Sequence, residues 1–394
     1  MRFFKLYHLS VNSILSVEFS FIVFLIANLC SFNTKFSTVL YAVSLIIFLT
    51  ATKITKVTKG WLILLLFCFS YVFFSIGFNG QSLFNLRYLF FIPYAFQLGV
   101  YIASLSKKEI HHVSTLILLS LSLLFISFYD VVVDTIEVGI INKNRIFENN
   151  DSTNILATAI GVTKSLSIGL GVGVLFAFRN YIVSKREKVI VIGALTYALF
   201  VNIHLLNRTG LVIFFLIFLF LFVKNLKAKS LIFLSILVVI LMLSYVKFSN
   251  SDGITEVVDA YLNRASKGDQ LNGRGALWSK SLNHLITDVG GWYFNYAGEK
   301  NRFAHNLWLD VARCSGIISF ALFLIFTITS GIDFLRVIIS KNITKSFKTI
   351  LWAVYLSIIL QCNVEPVLEA SLGYFLTIIF IFGMVHKINR MSYE

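Results

Sequence analysis

The sequence predicts an all-α protein built from membrane spans. Three observations carry that reading. Mean hydropathy is +0.83. Only 13% of residues are charged, against about 25% in soluble domains. Apolar runs of helical span length recur from one end of the chain to the other. The 394 residues contain just two prolines, Pro93 and Pro366, so few points interrupt those runs. The expected organisation is a single polytopic membrane domain over residues 1–394, with about twelve transmembrane helices and one large outward loop.

The elements follow from the apolar runs and the polar punctuation between them. The first run, about Ile14 to Cys30, lacks a small-x-small cleavage site and reads as a span at 14–30, not as a cleavable secretory signal. Spans at 36–51 and 61–78 are separated by Lys53, Lys56 and Lys59. Arg87 precedes a span at 88–104, and Lys107 and Lys108 precede one at 113–129. The span at 155–177 carries Lys164, an expensive residue inside hydrocarbon. Arg179, Lys185, Arg186 and Lys188 lead into 189–206, and a short polar turn at Asn207–Gly210 separates it from 211–223. After Lys224, Lys227 and Lys229 comes 230–246, and the last three spans are placed at 306–330, 349–363 and 367–385. Two outward loops of substance remain, 130–154 and 247–304.

Orientation comes from lysine and arginine, which collect on the cytoplasmic side. One set of alternating loops and ends holds twenty of them, while the short loops opposite hold five. Both termini are therefore expected in the cytoplasm. The net charge of +15 is accounted for by these anchors and does not call for nucleic acid. The four cysteines form no CxxC pair and read as buried free thiols.

Candidate functional residues collect on the outward side. His305, at the end of the long loop, sits where a helix is expected to begin. On that helix His305, Leu309, Ala312 and Gly316 share a face, with Gly316 allowing close approach of a neighbouring helix. A neutral histidine there could take a proton from a sugar hydroxyl; it also reads as an interfacial histidine held by a backbone hydrogen bond. Arg208 lies in the short turn and suits bidentate phosphate binding, or snorkels to the interface. Arg274 is flanked by Gly273 and Gly275, which would let the backbone approach a ligand; Arg264 and Lys280 are near it in sequence. Asp310 and Arg313 are spaced for a structural ion pair. Arg87 and Lys164 could reach a bundle cavity. Glu365 and Glu369 share an i,i+4 spacing around Pro366, which suits a first helical position. They read as partners for arginine, as a rival general base, or as helix caps.

Other chemistries lack their signatures. There is no GxxxxGK[ST] loop, no HExxH, no Cys/His ligand cluster and no Asp-x-Asp pair. No cofactor is expected. The outward set is cationic with one histidine, which suits a donor that carries its own phosphate leaving group on a lipid.

His305-Asn306, nine residues and then Gly316 resembles the motif of the O-antigen polymerase and O-antigen ligase superfamily. Asn207-Arg208-Thr209-Gly210 resembles that family's arginine between two spans, and Gly273-Arg274-Gly275 with Trp278 resembles its second arginine in the large periplasmic loop. The stretch from Asn363 to Glu369 resembles the polymerase branch. The resemblance runs along nearly the whole chain. It implies a metal-independent glycosyltransferase of the bacterial inner membrane acting at the periplasmic face on undecaprenyl-pyrophosphate-linked glycan. His305, Arg208 and Arg274 would be catalytic. Arg87, Lys164, Arg264, Lys280, Asn306, Glu365 and Glu369 would be the wider candidates for binding substrate or pyrophosphate. Expected partners are the lipid-linked donor, a saccharide acceptor, membrane lipids and a chain-length regulator protein. The polymerase is preferred. A ligase transferring glycan to lipid A-core is the alternative, and a lipid-linked-oligosaccharide flippase is a third reading, for which internal repeats are absent.

Overall fold

The computed structural model describes residues 17–31, 34–52, 58–139, 141–142, 154–178, 183–224, 274–292 and 303–393. Every regular element among them is helical. In order they are α1 (Val17–Leu29), α2 (Thr34–Ala51), α3 (Lys59–Val72), running on as a π-helical turn (Phe73–Phe78), and a 3-10 turn (Leu83–Leu86). Then come α4 (Arg87–Ser104), α5 (Glu109–Leu124), α6 (Phe128–Val138), α7 (Asn154–Phe176), α8 (Lys185–His204) and α9 (Arg208–Lys224). The last five are α10 (Arg274–Thr287), α11 (Leu307–Ile339), α12 (Lys345–Val364), α13 (Val367–Ala370) and α14 (Leu372–Tyr393).

Among the described residues, seven helices are long and apolar enough to cross a membrane, or eight if α5 and α6, bent by 47° relative to each other, form one span. The expected spans at 14–30 and 36–51 are shorter apolar helices, and 230–246 lies outside the described residues. Both loops expected to face outward contain helix. Residues 130–138 of the first belong to α6, which begins two residues earlier inside the expected span 113–129, and residues 274–287 of the second form α10. Much of 247–304, Arg264 included, lies outside the described residues.

Small residues bring the central helices together. Glycine spares the cost of a side chain where backbones meet. At the α4–α14 crossing a Cβ on Gly99 would lie 2.1 Å from the carbonyl oxygen of Phe380, and one on Gly383 would lie 2.1 Å from that of Phe96. α12 packs along α7, α11 along α3, and α8 and α9 flank α7. A buried core of Phe, Tyr, Ile and Leu fills the space between them.

Lys164 meets the backbone carbonyls left at the bend after α5. It is fully buried, and its ammonium donates to the carbonyls of Leu123, Leu124 and Ile126 at 3.2, 2.7 and 2.8 Å. A helix end leaves its last carbonyls without partners, and in an apolar interior those groups need donors. Lys164 supplies three at once. This differs from its expected place on a phosphate, because all three of its donors are engaged by backbone. Lys164→Met leaves those carbonyls unpaired, each worth about 1–3 kcal/mol. A clear fall in the thermal unfolding midpoint of the purified protein is expected; an unchanged midpoint would show that Lys164 is not needed there.

Candidate functional site

Three segments distant in sequence meet at one end of the bundle: the start of α9, the entry to α11 and the link from α12 to α13. Glu365, in extended backbone just after α12, is buried. Its Oε1 accepts a hydrogen bond from the Thr209 hydroxyl at 3.2 Å, and its Oε2 lies 3.4 Å from His305 Nδ1. The His305 side chain is 29% exposed, against 4% for Glu365. The imidazole is thus held from behind by a carboxylate and open in front. Arg208 is the first residue of α9, adjacent in the chain to the Thr209 that bonds Glu365.

His305 does not share a helical face with Gly316. α11 begins at Leu307 with Asn306 as its N-cap, whose side-chain oxygen accepts from Leu309 N at 3.2 Å. His305 precedes the cap with φ +53°, a left-handed conformation uncommon outside glycine. What holds it there is Asp310. The buried Asp310 carboxylate accepts from the N–H of Ala304 at 2.8 Å and from that of Asn306 at 3.1 Å, bracketing His305 on both sides. Trp278 Nε1 of α10 donates to the Ala304 carbonyl at 2.8 Å. Asn306 Nδ2 reaches the Asn363 carbonyl at 3.4 Å. The turn is therefore fixed from α10, from α11 and from the end of α12.

Asp310 is itself supported. Arg313 Nε lies 3.5 Å from Asp310 Oδ1, as the spacing of three predicts. The same guanidinium makes its shorter bonds to Glu369, both carboxylate oxygens lying 2.7 Å from one terminal nitrogen. Cys314 also contacts Glu369. The ring of Phe303 lies 5.3 Å from the Arg313 guanidinium, within cation–π range. Glu365 and Glu369 thus separate, one to His305 and the other to Arg313. Their expected common face is broken because Pro366 is the N-cap of α13, which leaves Glu365 outside the helix.

Gly316 works differently from the expected helix contact. Its φ of +76° and ψ of −174° break α11. The break frees an N–H and carbonyls, and buried backbone groups require partners. Ile317 N donates to the Val289 carbonyl at 3.0 Å, and Trp292 N to the Arg313 carbonyl at 3.0 Å. Asn79, beyond the π-helical end of α3, donates to the carbonyls of Cys314 and Gly290 at 3.0 and 2.8 Å. A Cβ on Gly316 would lie 1.9 Å from the Val289 oxygen. The glycine admits the 289–292 turn, not a neighbouring helix.

The remaining candidates lie on α10 and α4. Arg274 opens α10, and Gly275 lies inside that helix with open space around it, while Gly273 lies outside the described residues. Lys280 is exposed on α10. Arg87 opens α4, with its guanidinium 4.0 Å from the Phe84 ring centroid and hydrogen bonds to the Tyr88 and Thr38 hydroxyls.

Sequence reasoning missed the roles of Thr209, Asn363 and Asn79, and took Asp310 for a plain ion pair. Thr209 and Glu365 are 156 residues apart, and no local pattern announces such a contact. An acidic residue in the first turn after the N-cap was the one usable signal for Asp310. No family model matches this chain, and no curated protein matches it.

Proposed function

We propose that this protein is a glycosyltransferase that uses a polyprenyl-pyrophosphate-linked glycan donor, acting as an O-antigen polymerase at the periplasmic face of the bacterial inner membrane. The observation that carries the reading is the meeting of His305, Glu365 and the start of α9 at one end of an apolar bundle. A buried carboxylate beside a half-open imidazole is an arrangement that suits a general base, since it fixes the orientation of the ring.

In the proposed reaction His305 takes the proton of an acceptor hydroxyl. The oxygen forms a bond to the anomeric carbon of the donor as the bond from that carbon to the pyrophosphate oxygen breaks. Glu365 stabilises the imidazolium that results. Arg208, with Arg274, holds the departing pyrophosphate and offsets its charge. Asp310 keeps the backbone around His305 in place and does not touch substrate.

Deleting the gene and resolving surface lipopolysaccharide on a gel tests the assignment. The expected product bears a single repeat unit. Loss of surface glycan with long lipid-linked chains accumulating assigns the ligase reaction instead. An unchanged ladder removes both.

A further inference from the structure

α10 carries a surface that the site does not use. At about 100° per residue, its side chains divide into three sectors. Leu277, Ser281 and Leu285 are buried against the protein. Lys280, Asn283 and Thr287 form an exposed polar sector. Between the two, Leu282, Ile286 and Val289, spaced i, i+4 and i+7 from the helix into the turn after it, are 51%, 79% and 54% exposed. The exposed half of this helix is therefore itself split into an apolar and a polar strip.

The apolar strip is not isolated. The turn after α10 brings Gly290 against the rings of Phe74 and Phe78, which lie 3.7–3.8 Å from where its Cβ would sit. Phe73 and Phe78 are exposed at the end of α3, whose continuous helix from Lys59 to Phe78 is one of the membrane-capable set. Exposed phenylalanines at the end of a span thus adjoin the turn that carries the exposed Val289. The helix contains Arg274 and Lys280 and no acidic residue. A helix with an apolar strip, a polar strip and a positive charge belongs at the boundary between lipid headgroups and acyl chains.

We infer that α10 docks in the bilayer interface, with Leu282, Ile286 and Val289 immersed beside the phenylalanines of α3 and Lys280 facing the headgroups. The occupant of this face is lipid, because the strip adjoins the exposed phenylalanines of α3. The Trp278 bond to the Ala304 carbonyl then ties a membrane-seated helix directly to the His305 turn. The docking is independent of what the His305 site does.

The test uses the full-length protein in phosphatidylcholine–phosphatidylglycerol nanodiscs. Nitroxide labels are placed singly at Leu282→Cys, Ile286→Cys and Asn283→Cys. The background is Cys30→Ala, because Cys68, Cys314 and Cys362 are buried. Collision rates with oxygen, which concentrates in acyl chains, and with a water-soluble nickel chelate are measured by electron paramagnetic resonance. Labels at 282 and 286 are expected to favour oxygen over nickel several-fold more than the label at 283. Equal nickel access at all three positions overturns the inference. Protection of 282 and 286 from both reagents also overturns it, since protein would then cover the strip.

Discussion

His305→Asn is expected to lower glycan transfer by about 10²–10⁴-fold, the usual contribution of a general base, while leaving the protein inserted and folded. Asparagine is the informative replacement because it tolerates the positive φ that His305 adopts. His305→Ala should abolish long glycan too, but it adds backbone strain to the loss of the ring. Glu365→Gln keeps an acceptor for Thr209 and removes the charge behind the imidazole, so a smaller loss of turnover is expected. Transfer by purified variants in detergent, with a lipid-linked oligosaccharide donor, reads all three. Wild-type rates from His305→Asn would remove the histidine from the chemistry.

Asp310→Ala is expected to have the largest effect on stability, about 3–5 kcal/mol, the range for removing one partner of a buried ion pair. Two backbone N–H groups lose their acceptor at the same time. Arg313 keeps Glu369, so the defect should centre on the 304–306 turn. Asp310→Asn retains one acceptor oxygen and is expected to fold while losing activity, because it can no longer hold both N–H groups as a carboxylate does. Thermal unfolding together with transfer assays separates the two variants. If Asp310→Asn has normal turnover, the bracket around His305 is not required for function.

Much of this architecture is legible in the chain. The apolar runs and basic anchors mark helices at most of the expected places, since a span needs only length and hydropathy. The motif residues His305 and Arg208 also stand out, because each is polar at the edge of an apolar run. The partner of Glu365 is less legible. Its spacing from Glu369 suggests a shared helical face, whereas Pro366 starts α13 only after it. For Lys164 the sequence shows the cost of a buried charge and not the three carbonyls that meet it.

The sequence by itself determined that the chain is helical and apolar, because hydropathy and helical period are local properties. It also marked which polar residues lie at the ends of helices. Only the tertiary structure decided their partners. It turned Gly316 from a helix contact into a break that admits the 289–292 turn. It sent Glu365 to His305 and Glu369 to Arg313, and made Asp310 the support of the histidine turn. The physical reason is that each of these groups needs a donor or acceptor from a segment far away in sequence. Which segment arrives depends on how the helices pack, and packing is a property of the whole bundle.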